Sequence, residues 1–368
     1  MARMIHKKTI LPGNRIRVLV VDDSVVIRRL VSQALSEDTT LEVVGSVSNG
    51  ALALSRIAQT NPDVVTLDIE MPEMDGLEML RRLGKESVRP RVVMFSTLTE
   101  RGAVATLEAL ALGADDYVTK AANGGSLDRS LNSLREELIP KIKQFFVLPQ
   151  QEPAVRPTNG TAVLAAHRPS PAPRAACAPK LVAIGVSTGG PTALGAIIPQ
   201  LPRDFPLPIL IVQHMPPLFT RLLADRLQSS TQLKVEEAAE GSEITEGKIM
   251  IAPGDYHMRL HNQRGHWFVK LDQAPPENSC RPAVDVLFRS VGETFGAAAI
   301  GAILTGMGQD GLRGAQVLKA KGAYVIAQDE ASSVVWGMPG SVVGAGLADT
   351  VLPLDAIVPE ILRRIKDA

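Results

Sequence analysis

From Ile16 onward, short aliphatic and β-branched runs alternate with amphipathic stretches, and no other feature restricts the fold as much. Residues 17–21, 41–47, 64–67, 92–95 and 117–118 read as strands. Residues 24–36, 51–59, 77–83, 103–112 and a segment within 126–146 read as helices. Near-continuous apolar strands separated by helices predict a parallel sheet covered on both faces. The alternation resumes after residue 180, with strands at 181–185, 209–213, 249–252, 298–304 and 324–327. Helices are predicted at 192–201, 219–229, 284–291, 312–321 and 356–365. Within this second unit, 257–260 and 266–271 flank the polar segment His261-Asn262-Gln263-Arg264-Gly265, which predicts an antiparallel hairpin.

Between the two units, residues 149–179 hold seven prolines, one acidic residue and no aromatic residue. Such a segment cannot bury enough surface to offset the entropy of ordering, so a flexible linker is expected, with His167 and Cys177 incidental to it. The expected division is a first domain at 16–135, a helix end and linker at 136–178, and a second domain at 179–368. A length of 368 residues fits two domains.

Charge excludes one broad class of partner. Lys plus Arg and Asp plus Glu each number 39, so no global basic field exists to hold nucleic acid, and the second half has no basic helix of a DNA reader. Two cysteines, Cys177 and Cys280, are too few for a disulfide framework and fit a reducing cytoplasm. No segment approaches the roughly 20 apolar residues of a membrane span, and residues 1–11 lack the apolar run of a signal peptide. A cytoplasmic monomer without membrane insertion is expected; residues 1–15 suggest no role.

Asp22 and Asp23 end the first predicted strand and Asp68 ends the third. Carboxyl ends of parallel strands converge on one edge, so these carboxylates share a pocket suited to a hard divalent ion such as Mg²⁺. Lys120 and Ser96 end two further strands, placed to hold oxygens of a phosphoryl group on Asp68. Each residue alone reads as readily as a cap or turn former; the set at successive strand ends is harder to explain that way.

Residues 18–23, the run Leu67-Asp68-Ile69-Glu70-Met71-Pro72-Glu73-Met74-Asp75-Gly76, Ser96 and Tyr117-Val118-Thr119-Lys120 together resemble the receiver domain of bacterial response regulators. The resemblance implies a flavodoxin-like, five-stranded parallel fold. It further implies Asp68 as phospho-acceptor, Asp22, Asp23 and Asp68 as Mg²⁺ ligands, Ser96 with Tyr117 as a switch pair, and a chemotaxis histidine kinase as phosphodonor. Ala121 stands where that family usually has proline, which affects only the local turn.

In the second unit, Leu181-Val182-Ala183-Ile184-Gly185-Val186-Ser187-Thr188-Gly189-Gly190-Pro191 reads as a buried strand, a glycine-flanked serine and a helix opening at proline. The turn presents a hydroxyl beside helix-start N–H groups, which suits a nucleophile; a phosphate-cradling loop or a plain packing turn remains open. No lysine lies at Walker spacing. Serine needs a base, and His214 at the end of the next strand shares its edge. His257, His261 and His266 cluster around the hairpin as surface or packing residues. Asp310, in Thr305-Gly306-Met307-Gly308-Gln309-Asp310-Gly311, is either a helix cap or the acid that orients His214. The order Ser187, His214, Asp310 is not that of α/β-hydrolases.

These segments, with 251–258, Arg281-Pro282-Ala283-Val284-Asp285 and Gln328-Asp329-Glu330, resemble the catalytic domain of the chemotaxis protein-glutamate methylesterases, the CheB family. The resemblance implies a doubly wound, mostly parallel α/β domain, a triad of Ser187, His214 and Asp310, and oxyanion support around Thr188, Gly189 and Met307. It also implies hydrolysis of glutamate methyl esters on chemoreceptor cytoplasmic helices and deamidation of receptor glutamines, with no cofactor for the hydrolase. The receiver is then expected to dock near the catalytic edge and to release on phosphorylation. The competing reading is a phosphorylation-controlled receptor-binding pseudoenzyme in which Ser187 only shapes a turn.

Overall fold

The structure, a computed structural model, describes residues 8–86, 89–97, 99–120, 127–148 and 177–367. The Pro-rich segment 149–179 therefore lies outside the described residues except at 177–179.

In chain order the first half contains β1 (Lys8–Thr9), β2 (Ile16–Val21), α1 (Val25–Ser36), β3 (Leu41–Val47), α2 (Gly50–Thr60), β4 (Val64–Asp68), α3 (Gly76–Leu83), β5 (Arg91–Ser96), α4 (Glu100–Ala111), β6 (Asp116–Thr119), α5 (Leu127–Lys143) and β7 (Phe146–Val147). Five of these strands form a parallel sheet in the order β3-β2-β4-β5-β6. Polar side chains set the helix starts: Ser24, Asn49, Asp75 and Thr99 each accept a first-turn N–H, satisfying a donor that the helix leaves unpaired.

The second half contains β8 (Leu181–Val186), α6 (Gly190–Ile197), β9 (Ile209–Gln213), α7 (Phe219–Gln228), β10 (Lys234–Glu237), β11 (Lys248–Ile251), β12 (His257–Gln263), β13 (His266–Asp272), α8 (Val284–Phe295), β14 (Ala299–Ile303), α9 (Leu312–Ala320), β15 (Tyr324–Gln328), α10 (Met338–Gly344), β16 (Thr350–Leu352) and α11 (Ile357–Lys366). Its parallel sheet runs β10-β11-β9-β8-β14-β15-β16. β8 and β14, buried at every position, lie side by side at its centre, so their carboxyl ends bring residues 187 and 305 together.

Three features depart from expectation. The hairpin closes through Arg264-Gly265 alone, both with positive φ (52° and 91°), so residues 261–263 extend β12 instead of forming a loop. β10, α10 and β16 were not expected; each is short, and β10 buries only one of its four residues, which leaves little periodicity to read. Residues 8–9 pair with 146–147 in a separate two-stranded sheet. Lys8 caps that contact with an ion pair to the buried Asp63 at 2.6 Å, so this segment straps the end of α5 to the sheet.

α8 and α9 pack closely because residue 314 is glycine: a Cβ there would lie 2.5 Å from that of Phe288. Phe288 is fully buried between α8 and the sheet. Phe288→Ala should therefore lower unfolding free energy by about 3–5 kcal/mol, read from urea denaturation followed by circular dichroism.

Candidate active site and phosphorylation pocket

At the carboxyl edge of the first sheet, Asp22, Asp23 and Asp68 present oxygens that all lie within 4.8 Å of one another. Lys120 reaches the same point, with its ammonium 2.7 Å from Asp68 and 3.0 Å from Asp22. Burial pushes the Asp68 carboxyl up to about 6; Lys120 opposes that shift and the Asp22 charge adds to it. Asp22 Oδ2 is buried, and the atom facing it is the Lys120 ammonium. Ser96, the expected phosphate contact, is 1% exposed, and its hydroxyl is engaged with Thr106 and the carbonyl of Gly102.

On the second sheet Ser187 follows β8 directly, and its backbone N–H donates to the carbonyl of Thr305 at 3.0 Å. The turn into α6 uses Gly189 in the left-handed region (φ 79°), where a Cβ would lie 2.5 Å from Val334. The loop after β14 comes equally near: a Cβ on Gly306 would lie 2.8 Å from that of Ser187. Glycine at 306 is what lets the two loops face each other.

His214 follows β9 on the same edge, and its N–H bonds to the carbonyl of Val186 at 3.2 Å. Nε2 meets Asp310 Oδ2 at 2.8 Å, while Nδ1 faces Cys280 Sγ at 3.5 Å. Among the described residues the Ser187 hydroxyl has no hydrogen-bond partner, although it lines the same cavity as His214. Burial works against charge on His214, but the hydrogen bonds and charges of Asp310 and Cys280 outweigh it, and the imidazole is pushed up to about 10.

Asp310 combines the two roles that its sequence context offered. Oδ2 accepts from Val284 N at 2.6 Å and Oδ1 from Asp285 N at 3.0 Å, so it caps α8, whose own N-cap residue, Ala283, has no side chain to do so. With its other lone pairs it accepts from His214 and from Gly311 N. Burial raises the Asp310 carboxyl, and His214 together with these N–H donors takes it below its usual value.

The two sheets meet over this site. Tyr117 of β6 stacks on Phe219 of α7, with ring centroids 5.1 Å apart and 7° between planes. Asp116 Oδ2 accepts the Thr188 hydroxyl at 2.9 Å and also the Gln144 amide at 2.9 Å. Thr192 donates to the carbonyl of Leu110 at 3.2 Å, and Arg221 pairs with Glu100 at 3.0 Å. Between them lies a cavity of about 300 Å³, lined on one side by Asp116, Tyr117 and Lys141 and on the other by Ser187, His214 and Met307. Thr188 is thus brought to the site but held by the other domain, while Met307 is 40% exposed at the rim.

Sequence reasoning brought together Asp22, Asp23, Asp68 and Lys120, and likewise Ser187, His214 and Asp310. It missed Asn278, Cys280 and Asp116, none of which ends a strand beside its partner or falls in a periodic pattern. His257 is fully buried and uses both ring nitrogens in hydrogen bonds within the fold, in keeping with a packing residue.

The architecture and the two clusters define a class: a response-regulator receiver joined to an α/β output domain carrying a glycine-flanked serine. The profile of the response regulator receiver domain matches residues 18–132, and that of CheB methylesterase matches residues 182–361. A protein-glutamate methylesterase/protein-glutamine glutaminase of a Nocardioides species is 52% identical over 96% of this chain and 96% of its own length. The protein of the same description from Trichodesmium erythraeum is 48% identical over 95% of this chain and 99% of its own. The crystal structure of the Thermotoga maritima CheB methylesterase catalytic domain is 47% identical, with a TM-score of 0.50, covering 52% of this chain and all of that one. The chain belongs to the CheB methylesterase family. Among the described residues no helix is long and apolar enough to cross a membrane.

Gly306→Ala should force the loop away from Ser187 and lower labelling by a serine-directed fluorophosphonate at least about tenfold, read as the labelling rate of folded protein.

Proposed function

We propose that Ser187, His214 and Asp310 act as nucleophile, base and orienting acid in a protein-glutamate methylesterase/glutaminase controlled by phosphorylation of Asp68. The observation that carries this reading is the His214 to Asp310 bond at 2.8 Å, opening onto a cavity that Ser187 also lines. His214 takes the hydroxyl proton, Ser187 attacks the side-chain carbonyl of a methylated glutamate, and the proton passes to the departing methanol. Water then cleaves the glutamyl-serine ester. A glutamine substrate follows the same path with ammonia leaving. Backbone N–H groups around Thr188, Gly189 and Met307 supply donors for the oxyanion. Asp310 favours the protonated imidazole, so His214 acts as base from its neutral form.

Asp68 is the proposed phospho-acceptor. Asp22, Asp23 and Asp68 fit a hard divalent cation, since all three offer carboxylate oxygens that lie within 4.8 Å of one another. A bound Mg²⁺ would offset the charge on the incoming phosphoryl oxygens. Lys120, already 2.7 Å from Asp68, would hold one of those oxygens, and Ser96 and Tyr117 would rearrange toward the new charge. Because Tyr117 is stacked on Phe219, that rearrangement would loosen the contact that covers the cavity. The proposed substrates are chemoreceptor cytoplasmic helices, the proposed phosphodonor is a chemotaxis histidine kinase, and the proposed setting is the cytoplasm.

The deciding assay is methanol release from methylated receptor cytoplasmic fragments with a small-molecule phosphodonor and Mg²⁺. Ser187→Ala should lose at least about a thousandfold in rate, and Asp68→Asn should abolish stimulation by the phosphodonor. Full activity in Ser187→Ala would end the assignment of Ser187 as nucleophile, whereas no methanol release by the phosphorylated wild type under any condition would leave a receptor-binding pseudoenzyme as the better reading. Asp116→Ala, which frees Thr188, should raise the unphosphorylated rate roughly tenfold, in line with one charge-assisted hydrogen bond lost from the closed form.

A further inference from the structure

Two buried carboxylates, Asp310 and Asp285, stand at the starts of neighbouring helices. Asp310, just ahead of α9, caps α8, and Asp285, in the first turn of α8, accepts the N–H of Gly314 in α9 at 2.7 Å. The two helices thus cap each other, and two negative groups are drawn close together. Burial, together with the nearby Asp310 charge, raises the Asp285 carboxyl.

Asn278 lies between them. Its amide nitrogen donates to Asp310 Oδ1 at 2.9 Å and to Asp285 Oδ2 at 3.0 Å. Both amide hydrogens are therefore used, one on each carboxylate. Reversing the amide would turn its oxygen toward two acceptors, so the orientation is fixed by the network. The local backbone favours this placement. Asn278 and Ser279 have φ of 51° and 62°, and Glu277 and Cys280 exchange hydrogen bonds at 3.1 and 2.8 Å across them. Positive φ at both central residues marks a tight turn in which asparagine is favoured. The turn is anchored beyond its end by Arg281, which binds Asp255 through two nitrogens.

We propose that Asn278 is a positioning residue for the proposed triad, acting through Asp310 on His214. It holds Oδ1 so that Oδ2 stays directed at His214 Nε2, and it separates Asp310 from the Asp285 charge. Without it, two acceptors would face each other unbridged, and Asp310 could swing toward the remaining N–H donors of α8. His214 would then lose the partner that fixes its tautomer and ring plane. This inference rests on the triad reading above.

Asparagine at positive φ also serves the turn itself, so the variant must separate the two roles. Glycine accepts that backbone at least as well and removes only the amide. In the full chain, with phosphodonor and Mg²⁺, Asn278→Gly should lower kcat for methanol release from methylated receptor fragments about ten- to a hundredfold, with KM within about twofold. The downfield proton resonance of the His214 Nε2–H to Asp310 bond should broaden or move upfield in the same variant. Asn278→Asp, which keeps shape and turn but not the donor, should show the same split. Wild-type kcat and an unmoved resonance in Asn278→Gly would overturn the inference and leave Asn278 as a turn residue. The resonance is read without substrate, so absence of methanol release by the wild type would count against the triad reading alone.

Discussion

The reciprocal capping of α8 and α9 by Asp310 and Asp285 is the interaction on which the arrangement of the second domain depends. A helix N-terminus offers unpaired N–H groups and a partial positive charge, and here each helix receives its carboxylate from the other. That exchange fixes the loop after β14, which fixes Gly306 against Ser187, and it leaves one oxygen of Asp310 directed at His214. A carboxylate buried for catalysis alone would be costly to desolvate; one that also caps a helix is held in its charged form by the fold.

The receiver contributes to the same cavity from the opposite side. A surface pair such as Arg221 with Glu100 is worth at most about 1 kcal/mol, whereas the Tyr117 and Phe219 rings join the apolar cores of both domains. Asp116 is placed differently from either. It holds the hydroxyl of the residue that follows Ser187, which sets a carboxylate beside the turn proposed to bind an oxyanion. Steric cover from the Tyr117 and Phe219 stack and a negative charge from Asp116 therefore meet at the same interface.

Much of this was legible in the chain because parallel sheets convert strand ends into neighbours. Asp22 and Asp68, or Ser187 and His214, are far apart in sequence, yet each closes an apolar strand, and that rule alone sets them on one edge. Asp310 was ambiguous between cap and triad because one carboxylate both caps a helix and bonds His214, and the capped helix is not the one it precedes. Asn278 and Cys280 sit in a tight turn with no periodicity, and Asp116 matters only through a contact between domains, so no local pattern could single them out. The short β10 and β16 escaped for a simpler reason: edge strands of three or four residues carry too few buried positions to stand out.

The cavity between the domains has a pharmacological consequence. Its walls come from both halves of the molecule, with Tyr117 and Lys141 facing Ser187 and His214 across about 300 Å³. A small molecule shaped to that composite space would find its complete binding surface only while the two domains are docked. It would act as a glue between the domains and, on the proposed reading, dampen signalling by holding the receiver over Ser187 and His214.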